Sequence, residues 1–365
     1  MAKVSAVKHI EYLKEIIPLT GKYCNLQYLT DDPADYDEKN ALTQSALGLQ
    51  EAYLTKIAGN LSNYITDIIE NSTLLLEYDP NYSYENGGDE NVAYEGYDDY
   101  EIDEVAAMDD SSWKVRKGAA NVLEALVKSG IAIQRNFKEN IIQELVKCLR
   151  EHDENTKYDI IQCLGSYLSS MVFVNEEQND SAIKIKKMSS MAIDVMDNVL
   201  KDLMATIISN LKSNNENLVT KTLELLPTIA LMGAGEVIGE FSNLKPSFDN
   251  SCFNANTNTN NTIIFFKFLS QLFSSATSSE EYEDIISDIL NYIKLGITHK
   301  FYLVAIEALK SASCLVPILA SNPGANSKLI SSLYQMILPK FLEKSGTLLF
   351  LSKKLESFIL FLLLD

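Results

Sequence analysis

DDSSWKVRKGAANVLEALV, residues 109–127, ends an acidic run and begins a basic, strongly helical stretch around the only tryptophan of the chain, Trp113. Val115, Ala119, Val122, Leu123 and Leu126 recur at helical spacing and predict one buried stripe. Lys114, Arg116, Lys117, Asn121 and Lys128 fall on the other faces. Asp110 or Ser111 stands where an N-cap would accept first-turn N–H groups. Asp110, Val115 and Arg116 are five and six residues apart, a spacing that suits the turn between two paired helices. The stretch therefore reads as the second helix of a pair whose first helix ends near Leu76. What lies between is an insertion in the turn.

Apolar stripes at the same spacing recur along the chain. Ile141, Ile142, Leu145, Cys148 and Leu149 form one, Ile160, Ile161, Leu164, Tyr167, Leu168 and Met171 a second, and Ile285, Ile286, Ile289, Leu290 and Ile293 a third. Strand alternation and hairpin turns are missing, so the predicted fold is all-α without a sheet. Helices pair as 6–24 with 40–57, 60–76 with 112–128, 136–150 with 155–172, 188–211 with 216–232, 282–295 with 300–317 and 326–343 with 347–364. A further pair falls within 241–280. Without the insertion, roughly 335 residues remain, which suits about seven units of the ~40–47 residues of HEAT repeats. Such units bury their faces only by stacking, so the expectation is a single right-handed α-solenoid over residues 1–365. Two segments are expected to be disordered. One is the acidic insertion in the second repeat, 79–110; the other is the Asn/Thr-rich loop 250–262, NSCFNANTNTNNT.

Composition narrows the function. The 365 residues carry a formal net charge of −19. That excess of acid argues against nucleic acid as a partner, because phosphate neutralisation needs surplus Lys and Arg, and favours a basic protein partner. His9, His152 and His299 have neither paired spacing nor Cys neighbours, so no zinc site is expected. DENVAYEGYDDYE fails as a calcium loop because Ala93 and Tyr94 stand where an acid and a glycine are needed. GAGEVIG, residues 233–239, follows a helix instead of a strand and places its last glycine one residue late for a dinucleotide fingerprint. No catalytic constellation and no cofactor site emerge, so a non-enzyme is expected.

Cys24, Cys148, Cys163, Cys252 and Cys314 lack Cys-x-x-Cys spacing and read as buried thiols of a cytoplasmic or nuclear protein. MAKVSAVKHIEYLKEI lacks the apolar core of a secretory signal. Phe358–Leu364 is too short to span a bilayer, so no membrane partner is expected.

The candidate partner-binding residues flank the charge boundary. Twelve acidic residues and no Lys or Arg occupy 79–110. Tyrosines interleave with them and add contact area with a polar handle. Asp98, Asp99, Tyr100 and Glu101 represent the insertion; Trp113, Lys114 and Lys117 represent the helix after it. Weaker copies of the turn occur at Asn215 to Lys221 and near Asp153, where Asp159 replaces a base. At SFILFLLLD, residues 357–365, crowded apolar side chains suggest an uncovered repeat face and self-association through it.

LLLEYDPNYSYE (74–85), the acidic run, and DSSWKVRKGAANVLEALV (110–127) together resemble the cullin-associated, neddylation-dissociated proteins, also called the TATA-binding-protein-interacting family. EYLKEIIPLTGKYCN (11–25) and FYLVAIEALKSASCLVPIL (301–319) look like repeats of that family in the same order. The resemblance implies an all-HEAT, non-enzymatic scaffold. It would bind the cullin and RING subunit of unmodified cullin–RING ubiquitin ligases and regulate their assembly and substrate-receptor exchange. Gly118 and the Gly- and Tyr-diluted run depart from the family's Ala-rich, more purely acidic pattern. An importin-like nuclear transport receptor, which also pairs an acidic HEAT solenoid with an acidic loop for basic cargo, is the alternative reading.

Overall fold

A computed structural model describes residues 10–31, 36–79, 111–174, 186–188, 190–254, 258–275, 280–320 and 322–344. The chain divides into two compact units, 1–167 and 168–365.

The first unit contains α1 (Leu13–Tyr23), α2 (Leu26–Thr30), α3 (Tyr36–Ile57), α4 (Ile65–Leu75), α5 (Ser112–Lys128), α6 (Arg135–Lys147) and most of α7 (Glu154–Ser170). Helix α1 packs on α3 and α4 on α5, while α3 lies along α5 and α4 along α6. First and second helices of successive pairs thus form two rows, which is how a repeat of this size buries both faces. The predicted stripe of α5 is fully buried: Val115, Ala119, Val122, Leu123 and Leu126 are all 0 % exposed. Arg116, expected on another face, is buried as well. At Gly118 an added Cβ would lie 3.0 Å from Leu47 Cδ1, so the glycine lets α5 sit close against α3.

The second unit holds α8 (Ser190–Asn210), α9 (Glu216–Met232), α10 (Ala234–Gly239), α11 (Phe241–Cys252), α12 (Thr259–Ser275), α13 (Ile286–Ile297), α14 (Tyr302–Ala320) and α15 (Pro323–Lys344). Helices α8 and α9, α11 and α12, and α13 and α14 pair; α9, α12 and α14 form the second-helix row, and α15 packs on α13 and α14. Among the described residues six pairs are complete. The partner expected for α15, residues 347–364, lies outside them, as does the apolar stretch 357–365.

The repeat is written in its side-chain bonds. Ser166 reaches Glu124 across 42 residues, Thr220 reaches Asn261 across 41, Tyr292 reaches Asp249 across 43 and Ser270 reaches Ser311 across 41. A constant offset means that equivalent positions of neighbouring helices face each other.

Two expectations need correction. A small antiparallel sheet joins β1 (Val172–Val174) to β2 (Lys186–Met188), with Phe173 opposite Lys187. Val-Phe-Val has the β-branched and aromatic character that favours an extended backbone. The polar stretch 250–262 is not a free loop at its ends: α11 runs to Cys252 and α12 starts at Thr259. Thr262 Oγ1 donates to Cys252 O at 2.7 Å, and Asn261 Nδ2 donates to Ser251 O at 3.3 Å, both side chains being buried. These asparagines and threonines satisfy the orphan carbonyls at the end of α11. Residues 255–257 lie outside the described part.

Helix α14 is long and apolar enough to cross a membrane, yet half of that stretch is buried against α12, α13 and α15. Cys24, Cys163 and Cys252 are buried free thiols. Burial pushes the Cys24 thiol up to about 12.

Candidate partner interface

Both ends of the acidic insertion are fastened at one point. Leu76–Asp79 leave α4, and Ser111 and Ser112 enter α5. Arg116 Nη1 donates to Tyr78 O at 2.9 Å and to Ser112 Oγ at 2.6 Å, so one guanidinium holds the departing and the returning strand. Cys148 Sγ contacts Leu76 O at 3.6 Å. Ser111 is the N-cap residue of α5, but its hydroxyl does not cap. It donates instead to Asp37 Oδ1 at 2.5 Å and accepts from Asn40 Nδ2 at 2.9 Å, linking the entry of α5 to α3. The expected cap is thus replaced by a bond between repeats. Asp110, the other cap candidate, lies outside the described residues.

Arg116 also forms a forked ion pair with Glu151, Nε to Oε2 at 2.5 Å and Nη2 to Oε1 at 3.0 Å. Glu151 sits in the turn before α7 and accepts from the backbone N–H groups of His152 and Asp153 at 2.9 and 3.0 Å. Asp153 caps α7 through Thr156 N at 2.7 Å, and Thr156 Oγ1 donates to Trp113 O at 3.3 Å. The turn of one repeat is therefore bolted to the turn of the next.

Beside this clamp lies an acid pair. Glu77 donates to Glu144, and that hydrogen bond, with burial, holds its carboxyl above the usual range. Glu144 accepts from Lys147 Nζ at 2.7 Å. Burial alone would raise Glu144, but the bonds from Glu77 and Lys147 bring it below.

The sequence-based candidates fare differently. Trp113 is half-buried, with Lys114 Nζ 5.6 Å from its ring centroid. A matching pair, Lys39 over Tyr28 at 5.5 Å, stands at the preceding turn. Lys117, expected to meet a partner, is bound within the unit, its Nζ 3.4 Å from Asp159. This explains why Asp159 stands where a base was expected: it answers a lysine of the previous repeat. Asn215 caps α9, accepting from Asn217 N and Leu218 N at 3.0 and 3.1 Å. Asp98, Asp99, Tyr100 and Glu101 lie outside the described residues. Sequence reasoning missed Glu151, because its role depends on a turn 35 residues away.

Among the described residues no group of three His, Cys, Asp or Glu side chains is placed to hold a metal ion. A cleft of about 410 Å³ lies between Ile65 and Ile69 of α4 and the segment Ile131–Phe137, with walls of mixed character that include Ser62, Thr66 and Gln134. Neither feature brings together a nucleophile and a base. What the site offers is an edge of turns with aromatic–lysine pairs, interrupted by the root of an acidic segment. That is contact chemistry.

No family model matches the chain. Curated relatives do. It is 24 % identical over 287 residues, 77 % of its length, to "Cullin-associated NEDD8-dissociated protein 1" of Drosophila melanogaster. It is 23 % identical over 324 residues, 85 % of its length, to the Dictyostelium discoideum protein of the same name. Over 160 residues, 43 % of its length, it is 27 % identical to "Cullin-associated NEDD8-dissociated protein 2" of Rattus norvegicus. The chain spans about a quarter of the length of the first two relatives, which it covers to 23 and 24 %, and 12 % of the third. Among solved structures it is similar to an engineered protein, with a TM-score of 0.52 and 12 % identity, covering 82 % of this chain and 96 % of that one.

Proposed function

We propose that this chain acts as a segment of a non-enzymatic scaffold that binds the unmodified core of cullin–RING ubiquitin ligases. There it regulates their assembly and the exchange of substrate receptors, in the cytoplasm and nucleus. The observation that carries this reading is similarity over 77 and 85 % of the chain to proteins named for cullin association. The geometry supports it in kind. Within each unit, stacked helix pairs supply an extended contact surface, and multipoint binding to a large partner needs such a surface. A net charge of −19 suits a partner with a basic face, since complementary potentials speed encounter and fix register.

The test is retention of the full chain on an immobilised unmodified cullin–RING subunit, on the same subunit carrying its ubiquitin-like modifier, and on a small nuclear GTPase. The proposal expects retention on the first alone. Retention on the GTPase would shift the reading to a transport receptor. Equal retention on both cullin forms, or none on either, would overturn it.

A further inference from the structure

In a chain with 50 acidic and 31 basic residues, one stretch of the second unit, residues 289–306, carries no acid. From Ile289 to Ile306 the only titratable side chains besides Tyr292 and Tyr302 are Lys294, His299 and Lys300. The neighbouring turn, between α11 and α12, is uncharged from Asn250 to Thr262 apart from Cys252, a buried thiol. That turn lies against α13: Phe253 stacks on Tyr292 with ring centroids 4.7 Å apart and planes 27° from parallel. The nearest acids on these helices are engaged. Asp249 Oδ1 accepts from Tyr292 Oη at 2.6 Å, Asp288 pairs with Lys245 at 2.6 Å, and Glu307 with Lys310 at 2.7 Å.

The same edge exposes apolar side chains. Leu295 is 52 % exposed, Tyr302 58 % and Leu303 39 %, all within nine residues at the end of α13 and the start of α14. Packing forces them outward. An added Cβ at Gly296 would lie 2.2 Å from Phe266 Cζ and 2.6 Å from Ala308 Cβ, so the last turn of α13 is pressed against α12 and α14. Gly296 and Ile297 fill that interior, which leaves Lys294, Leu295 and Thr298 on the open side. The turn that follows is braced, with Phe301 N donating to His299 Nδ1 at 3.1 Å. Exposed apolar groups beside two exposed lysines form a contact patch, not a solvated face.

We infer that this edge, centred on Leu295, Lys300 and Tyr302, is a docking surface for an acidic linear segment of a partner protein that carries leucine or tyrosine between its acids. Lys294 and Lys300, both exposed, supply the charge complement; Leu295, Tyr302 and Leu303 supply the apolar contact. Asp288 and Glu307 are already ion-paired with lysines, and the exposed charges within 289–306 are those of Lys294 and Lys300. This surface is independent of the cullin reading, since any partner with such a segment would use it.

The probe is a fluorescein-labelled peptide, Asp-Asp-Tyr-Glu-Leu-Asp-Glu-Leu, followed by anisotropy with the full chain. Two control peptides replace its acids by lysine or its Tyr and Leu residues by serine. The wild-type chain should bind the probe, with affinity falling roughly threefold or more as salt rises from about 50 to about 500 mM. Both control peptides should bind about tenfold more weakly or not at all. The variant Leu295→Gln with Tyr302→Ser removes only exposed surface and should weaken probe binding about tenfold. Lys294→Gln with Lys300→Gln should abolish the salt dependence. No binding at about 1 mM probe, equal binding of the lysine peptide, or unchanged binding by either double variant would overturn the inference.

Discussion

Arg116 Nε lies 2.5 Å from Glu151 Oε2, with both side chains more than nine-tenths buried, so the helix that follows the acidic insertion is tied to the turn of the next repeat by a desolvated, forked ion pair. Nη1 of the same guanidinium holds Tyr78 O and Ser112 Oγ, on either side of the insertion. One residue thus closes the second repeat and couples it to the third.

Arg116→Met should destabilise the first unit by about 3–5 kcal/mol, because Glu151 is left charged and without its guanidinium. Adding Glu151→Leu should recover much of that loss. Denaturant unfolding of the two single variants and the double variant measures the coupling. Additive losses would mean that the two residues do not act as a pair.

Glu124, buried in α5, accepts from Lys128 Nζ at 2.6 Å, Gln162 Nε2 at 2.9 Å and Ser166 Oγ at 3.1 Å. Burial pushes its carboxyl up, but these three donors prevail and hold it below the usual range. A carboxyl whose folded pKa is depressed adds stability that is present above its unfolded value, about 4.3, and is lost as pH falls through the folded value. Wild type should therefore lose more stability than Glu124→Gln between about pH 5 and about pH 3. Parallel stability–pH curves for the two proteins would contradict this.

Replacing residues 80–110 with a short Gly/Ser linker should leave the melting temperature of the first unit within a few degrees. Its anchors, Tyr78 and Ser111–Ser112, are already held together by Arg116, Asp37 and Asn40. Shortening a closed loop lowers its entropic cost only slowly with length. A large drop measured by calorimetry would show that the segment contributes core.

Gly296→Ala should cost roughly 1–3 kcal/mol, since the new methyl must displace Phe266 or Ala308 in a packed interior. Gly48→Ala in α3 meets nothing within 4 Å and should instead stabilise by about 0.5–1 kcal/mol through helix propensity. Thermal unfolding of both variants separates the packing effect from the propensity effect.

The helix pairs were legible in the sequence because burial at 3.6-residue spacing is a local property. The stripe of α5 and the pairing of Ile141–Leu149 with Ile160–Met171 could be read without knowing any neighbour. The place of the insertion was legible too, since α4 ends at Leu75 and α5 begins at Ser112; its expected disorder falls on residues outside the described part. The roles of polar residues could not be read. Arg116 looked like a solvent-facing base and proved buried, because Glu151 sits in another turn. Lys117 looked available and is bound, because Asp159 stands 42 positions on. Ser111 looked like a cap and is a strut to Asp37 and Asn40. Leu295 lies outside the predicted stripe, and the packing of Gly296 against Phe266 leaves it exposed. Sequence by itself determined which residues must leave water, since hydrophobicity belongs to each side chain. Only the tertiary structure decided which charge meets which, because an ion pair belongs to two residues that the chain alone does not bring together.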